Sequence, residues 1–255
     1  MSTRPEFSRH DLVWLSGQGW RAACAGMSEN CVAILQRWQH EDWPAIVRRT
    51  DADANLDGDE VGIGVALPPD AQGQKLRVPL KVPLAGIRVK REPLEVFDVL
   101  PAAPLLWQSA LRRFADESRA CRLDMRVYGS LALQALTRQT YLRDTSDIDI
   151  LFRPINRMQL DLGMALLARH AQLLPLDGEV LLGGDNAVAW KEWLQCENSE
   201  GGGGDERDSD GGDDSERGAH RVLVKRRDGV QLQRVDALLD ALDSIGLTDP
   251  GACKT

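Results

Sequence analysis

The chain has 255 residues, 43% of them apolar, enough for one sizeable core or two modest domains. No apolar stretch nears the ~20 residues that a bilayer-crossing helix needs, so no membrane is expected as a partner. The formal charge of -8, from 39 acidic and 31 basic residues, disfavours a general nucleic-acid binder.

The start, MSTRPEFSRHDLVWL, is polar and lacks the apolar core of a signal peptide, so a cytoplasmic location is expected. RHDLVWL reads as a short capped helix or a strand. MSENCVAILQRWQHEDWP carries Val32, Ile34, Leu35 and Trp38 at mostly helical spacing, and Pro44 stops it. PAIVRR, EVGIGVALP, KLRVPLKVP and GIRVKR are apolar or alternating runs broken by Gly, Pro and Asp, which predicts a small, β-rich, mostly antiparallel domain over residues 1–99. Within it, DADANLDGDE invites a calcium reading, but Gly64 stands where an EF-hand needs its bidentate Glu, so a solvated turn is the expectation.

A linker marked by Pro101 and Pro104 opens a second domain, residues 100–255, with a first helix through Leu105, Leu106, Ala110 and Phe114. LDMRVYGS follows as a strand, LALQALTRQ as a helix, SDIDILF as a strand and MQLDLGMALLARHAQL as a longer helix. LDGEVLL is a third strand, then a turn at GGDN and a helix, AVAWKEWL. ENSEGGGGDERDSDGGDDSER, about 197–217, is almost wholly Gly, Ser and charge, and is expected to be a disordered acidic insertion. RVLVKRR resumes as a strand and VDALLDALDSIG closes as a helix. The fold class expected is α+β: a mixed-sheet domain with flanking helices, preceded by the β-rich one. Cys24, Cys31, Cys121, Cys196 and Cys253 form no C-x-x-C and no zinc spacing, and read as free thiols.

Two short motifs carry the chemistry. Asp147 and Asp149 lie two apart in a strand, so their carboxylates share a face with Cα atoms about 7 Å apart. They repel unless a cation lies between them, and magnesium suits that role because it prefers oxygen ligands and leaves room for phosphate oxygens. Gly129 permits close backbone approach after the preceding strand, and Ser130 can cap the next helix, whose free N–H groups attract anions. Either half alone is explained by a helix cap or a solvated strand start. In the order strand, Gly-Ser, helix, loop, Asp-x-Asp strand, they point to opposite sides of one polyphosphate.

Those residues resemble the nucleotidyltransferase superfamily signature. More narrowly, the chain is similar to the phosphoribosyl-dephospho-CoA transferases of malonate decarboxylase, the holo-acyl-carrier-protein synthases of that system. The resemblance runs through RHDLVWL, WPAIVRR, VGIGVALP, VYGSLALQALT, TSDIDILF, LDGEV, AVAWKEW and RVLVK; the long acidic insertion departs from the compact form expected. It implies an active-site pair at Asp147 and Asp149 holding Mg2+, a phosphate cradle at Gly129 and Ser130, and a third carboxylate at Asp177, with Glu179 as the alternative. Basic groups must neutralise the triphosphate, and Arg126 and Lys225 are the candidates, with Arg138 or Arg143 near the connecting loop. His10 and His170 offer no convincing general base, and Trp190 reads as core.

The resemblance implies a donor, 2'-(5''-triphosphoribosyl)-3'-dephospho-CoA (a triphosphoribosyl-dephospho-CoA), and an acceptor serine on the apo acyl carrier protein subunit of malonate decarboxylase. A nucleotidyltransferase acting on another small molecule or protein, or a non-catalytic nucleotide-binding domain, would present the same fold. Against an RNA substrate, the chain has no broad basic run with interleaved aromatics.

Overall fold

Alternating burial builds the first sheet. The computed structural model describes residues 7–49, 59–200, 220–226 and 229–246. In β3 (Glu60–Ala66) Val61, Ile63 and Val65 point inward, and in β4 (Arg77–Pro83) Val78, Leu80 and Val82 do the same. With β1 (Leu12–Leu15), β2 (Ala45–Val47) and β5 (Ile87–Arg91) they form a five-stranded antiparallel sheet, order β4-β3-β2-β1-β5. RHDLVWL is therefore a strand.

Helix α1 (Gly17–Ala23) is capped by Ser16, whose Oγ accepts from the Gly19 amide at 3.1 Å. Helix α2 (Glu29–His40) buries Leu35 and Trp38, and the Trp38 indole donates to the Pro44 carbonyl at 3.0 Å. β6 (Leu94–Glu95), α3 (Val96–Val99) and α4 (Leu105–Ala120) follow, then β7 (Asp124–Tyr128), α5 (Gly129–Thr137), β8 (Ile148–Arg153) and α6 (Arg157–His170). The chain continues through β9 (Leu176–Leu181), β10 (Ala187–Ala189), α7 (Trp190–Glu200), β11 (Arg221–Lys225), β12 (Val230–Arg234) and α8 (Val235–Gly246). A seven-stranded sheet has the order β12-β11-β10-β9-β8-β7-β6. Its β6–β7, β9–β10, β10–β11 and β11–β12 pairs are antiparallel.

By their contacts the residues fall into two compact units. One draws on the spans 1–112, 126–148 and 227–229, the other on 113–125, 149–226 and 230–255. In the first, the core of the five-stranded sheet takes in Leu133 from α5 and Tyr141 from the loop before β8. The Tyr141 hydroxyl donates to the Ala66 carbonyl at 2.8 Å. Burial pushes this phenol well above its ordinary range, so folding favours the protonated form. Its stabilisation is complete below the unfolded value of about 10 and is lost as pH rises above it. Tyr141→Phe is expected to cost about 1 kcal/mol at neutral pH and to flatten the alkaline limb of a denaturation-midpoint profile.

In the second unit, Ile150, Leu151 and Phe152 of β8 and Val180 of β9 are buried with Leu160, Met164 and Leu167 of α6. A methyl on Gly163 would overlap the Phe152 ring, so the helix needs glycine to lie this close. Arg157 ties α6 to α8 through Asp243 at 2.8 Å and Asp240 at 3.4 Å.

Several expectations are corrected. The AVA of AVAWKEWL is a strand, because Gly183 and Gly184, at φ 72° and 59°, turn the chain back and pair Ala187 to Ala189 with Leu181 to Glu179. VQLQR forms β12, paired along its length with β11, although most of it is exposed and no buried apolar face marks it. The strand expected in LDGEVLL is present as β9, with Asp177 and Gly178 inside it. Cys24, Cys31, Cys121 and Cys196 are free thiols; Cys253 lies outside the described residues. Residues 51–58 of the tract weighed for calcium also lie outside them, as do residues 201–217 of the acidic insertion, whose first four residues continue α7.

Candidate active site

β7 ends at Tyr128 and α5 begins at once. Gly129, the first helical residue, has φ 70°, the left-handed region that favours glycine. Ser130 does not cap the helix: Tyr128 holds the cap position and gives no side-chain hydrogen bond to the first-turn amides. Those N–H groups are the ones a helix start offers to an anion.

Ser130 is instead the second helical residue, only 8% exposed, and its Oγ accepts from Lys75 Nζ at 2.8 Å. Lys75 precedes β4 in the loop after β3. Spacing and composition give no hint of this contact, because 55 residues separate the partners and only the folded hairpin brings them together. The His10 ring lies 4.0 Å from that of Tyr128. His10 itself has φ 72°, an uncommon value for a non-glycine residue, at the turn that leads into β1.

The expected phosphate ligand Arg126 faces carboxylates, with Glu92 at 3.3 Å and Glu95 at 3.7 Å. Two of the basic groups weighed near the connecting loop are exposed: Arg138, in the left-handed conformation that ends α5, and Arg143. Asp147, also exposed, stands one residue before β8.

The second unit carries the other carboxylates. Asp149 is the half-buried second residue of β8. In β9, Gly178 lies so close to the backbone of Ile150 that a methyl there would overlap its carbonyl oxygen and amide nitrogen. Asp177 and Glu179 flank Gly178 in β9. Lys191 reaches Asp177 at 3.5 Å, and Lys225 donates to Glu179 at 3.0 Å. Glu179 is 5% exposed, so its charge needs this partner to offset desolvation.

Among the described residues, no three His, Cys, Asp or Glu side chains gather into a metal site. Asp177 and Glu179 are each engaged by a lysine; the carboxylates expected from the sequence to hold a metal are Asp147 and Asp149. Two carboxylates fit magnesium, which is commonly held by one or two of them and completes its shell with water and substrate phosphates. His170, buried against Phe114 and 3.4 Å from Glu117, is a core residue, and Trp190 is 3% exposed.

Comparison with known proteins covers nearly the whole described chain. Residues 8–93 match the model of the phosphoribosyl-dephospho-CoA transferase MdcG N-terminal domain, and residues 94–236 match that of its C-terminal domain. A phosphoribosyl-dephospho-CoA transferase of Xanthomonas campestris pv. campestris is 34% identical over 226 residues, 88% of this chain and 92% of the relative. Another, from Xanthomonas axonopodis pv. citri, is 37% identical over 188 residues, 72% and 84% of the two chains. A third, from Bradyrhizobium diazoefficiens, is 33% identical over 187 residues, 72% and 80%. No solved structure matches. The small antiparallel-sheet domain followed by a larger α/β domain is the architecture of this pair of family models, and the chain belongs to the phosphoribosyl-dephospho-CoA transferase family.

Proposed function

We propose that the protein transfers phosphoribosyl-dephospho-CoA from 2'-(5''-triphosphoribosyl)-3'-dephospho-CoA to a serine of the apo acyl carrier subunit of malonate decarboxylase. The observation that carries this reading is family membership across both domains, joined to a helix start with glycine in the left-handed region and an Asp-x-Asp at the head of β8. No helix among the described residues is long and apolar enough to cross a membrane.

In the reaction, the carrier serine oxygen bonds to the α-phosphorus of the donor and gives up its proton. The bond from that phosphorus to the bridging oxygen breaks, diphosphate leaves, and a phosphodiester remains. Attack in line with the leaving group needs positioning more than covalent help from the protein. Asp147 and Asp149 would hold Mg2+, which when bound neutralises phosphate charge and lowers the pKa of the attacking hydroxyl. Gly129 and the first-turn amides of α5 receive phosphate oxygens, and Ser130 orients them. Asp177 stands as a third carboxylate only if it exchanges Lys191 for the metal. Arg126 and Lys225 contribute positive charge already shared with Glu92, Glu95 and Glu179, so their part is to hold the site's frame as much as to meet the donor.

Diphosphate release tests the reading. Release should require both the donor and the apo carrier, and should stop once it equals the amount of carrier. Release that continues without carrier would instead favour a transferase with another acceptor.

A further inference from the structure

Of the cations weighed in the sequence for the phosphate site, Arg126 and Lys225 are both paired with carboxylates. Lys75 differs. Among the described residues its ammonium meets the Ser130 hydroxyl and no carboxylate. The loop that carries it is built rather than loose. Asp70 Oδ1 accepts from the amides of Gln72 at 3.0 Å and Gln74 at 2.7 Å, and Leu67 N–H donates to the Leu76 carbonyl at 2.9 Å. Gly73, at φ 85°, lets the Arg143 guanidinium lie where a Cβ would stand. Arg143 also pairs with no carboxylate among the described residues. Two cations with no acidic partner among the described residues are thus carried or contacted by this loop, one of them on the second residue of α5. Concentrated positive charge of this kind favours a polyanion.

We infer that Lys75, from the β-rich N-terminal domain, is a substrate-binding residue that takes the triphosphate of the donor, with Arg143 packed on the same loop at Gly73. This rests on the proposed transfer reaction and adds to it a role for the N-terminal domain. The Ser130 hydroxyl holds the ammonium at the helix start, and an arriving phosphate oxygen gains a charge-assisted hydrogen bond there. Dephospho-CoA lacks the triphosphate and so does not draw on Lys75.

Calorimetric titration of the full-length protein tests this with three probes: the triphosphoribosyl donor, inorganic triphosphate and dephospho-CoA. Lys75→Met should weaken the donor and inorganic triphosphate about 10- to 100-fold, the effect of losing one charged hydrogen bond, and leave dephospho-CoA unchanged. Lys75→Arg should restore most of the loss. An unchanged melting temperature in Lys75→Met would show that the fold is intact, as expected for an exposed side chain. Equal binding of triphosphate by wild type and Lys75→Met, or no binding by wild type, would overturn the assignment. Triphosphate binding that depends on Lys75, with no binding of the donor, would keep the anion site and overturn the proposed donor.

Discussion

Asp149→Asn is expected to lower the rate of carrier modification by about 10²–10³-fold, the scale of losing one group aimed at transition-state charge. The substitution keeps the shape of the side chain and removes its charge. Asp149 is half-buried within β8, between the buried Ile148 and Ile150 that anchor the strand, so the fold should survive. The loss should appear in kcat, with a higher magnesium concentration needed for half-maximal rate, because a weaker donor set is being filled. Asp147→Asn should act in the same direction. Wild-type kcat and wild-type magnesium dependence in Asp149→Asn would remove the carboxylate pair from the mechanism.

The largest stability effect is expected at Gly178. Its φ of 125° is a conformation that L side chains rarely adopt, and a Cβ would overlap the backbone of Ile150. Neither β8 nor β9 can yield without breaking the sheet that carries Asp149, since both strands are buried over most of their length. Gly178→Ala is therefore expected to cost more than about 4 kcal/mol, in the range reserved for backbone strain combined with core overlap. Gly184 supplies the contrast. It also has positive φ, 59°, but nothing lies within 4 Å of a Cβ built there. Gly184→Ala should cost only about 1 kcal/mol, the conformational term alone. Urea denaturation of the two variants checks both, and similar midpoints would mean that β9 does not press on Ile150 in solution.

How much of this was legible in the chain differs by element. EVGIGVA and RVPLKVP alternate cleanly, and a half-buried antiparallel strand needs nothing more to be read. β10 is three residues long and β12 has no buried face, so neither carries a period that separates it from a turn or a helix start. The Asp-x-Asp spacing is legible without tertiary information, but β8 begins at Ile148, so the strand expected to carry both carboxylates carries only Asp149. The partners of Arg126, Lys191 and Lys225 were not legible, because Glu92, Glu95, Asp177 and Glu179 lie on other elements and meet them only in the folded chain. Lys75 was invisible for the same reason. A lysine in a hairpin loop looks like any solvated charge until the folded chain sets it on Ser130.

The most direct test is the intact mass of the apo carrier subunit of malonate decarboxylase after incubation with this protein, magnesium and the triphosphoribosyl donor. The account predicts that the carrier gains one phosphoribosyl-dephospho-CoA, and that a carrier whose acceptor serine is changed to alanine gains nothing. An unmodified wild-type carrier, with carrier and donor shown competent by an established synthase, would contradict it.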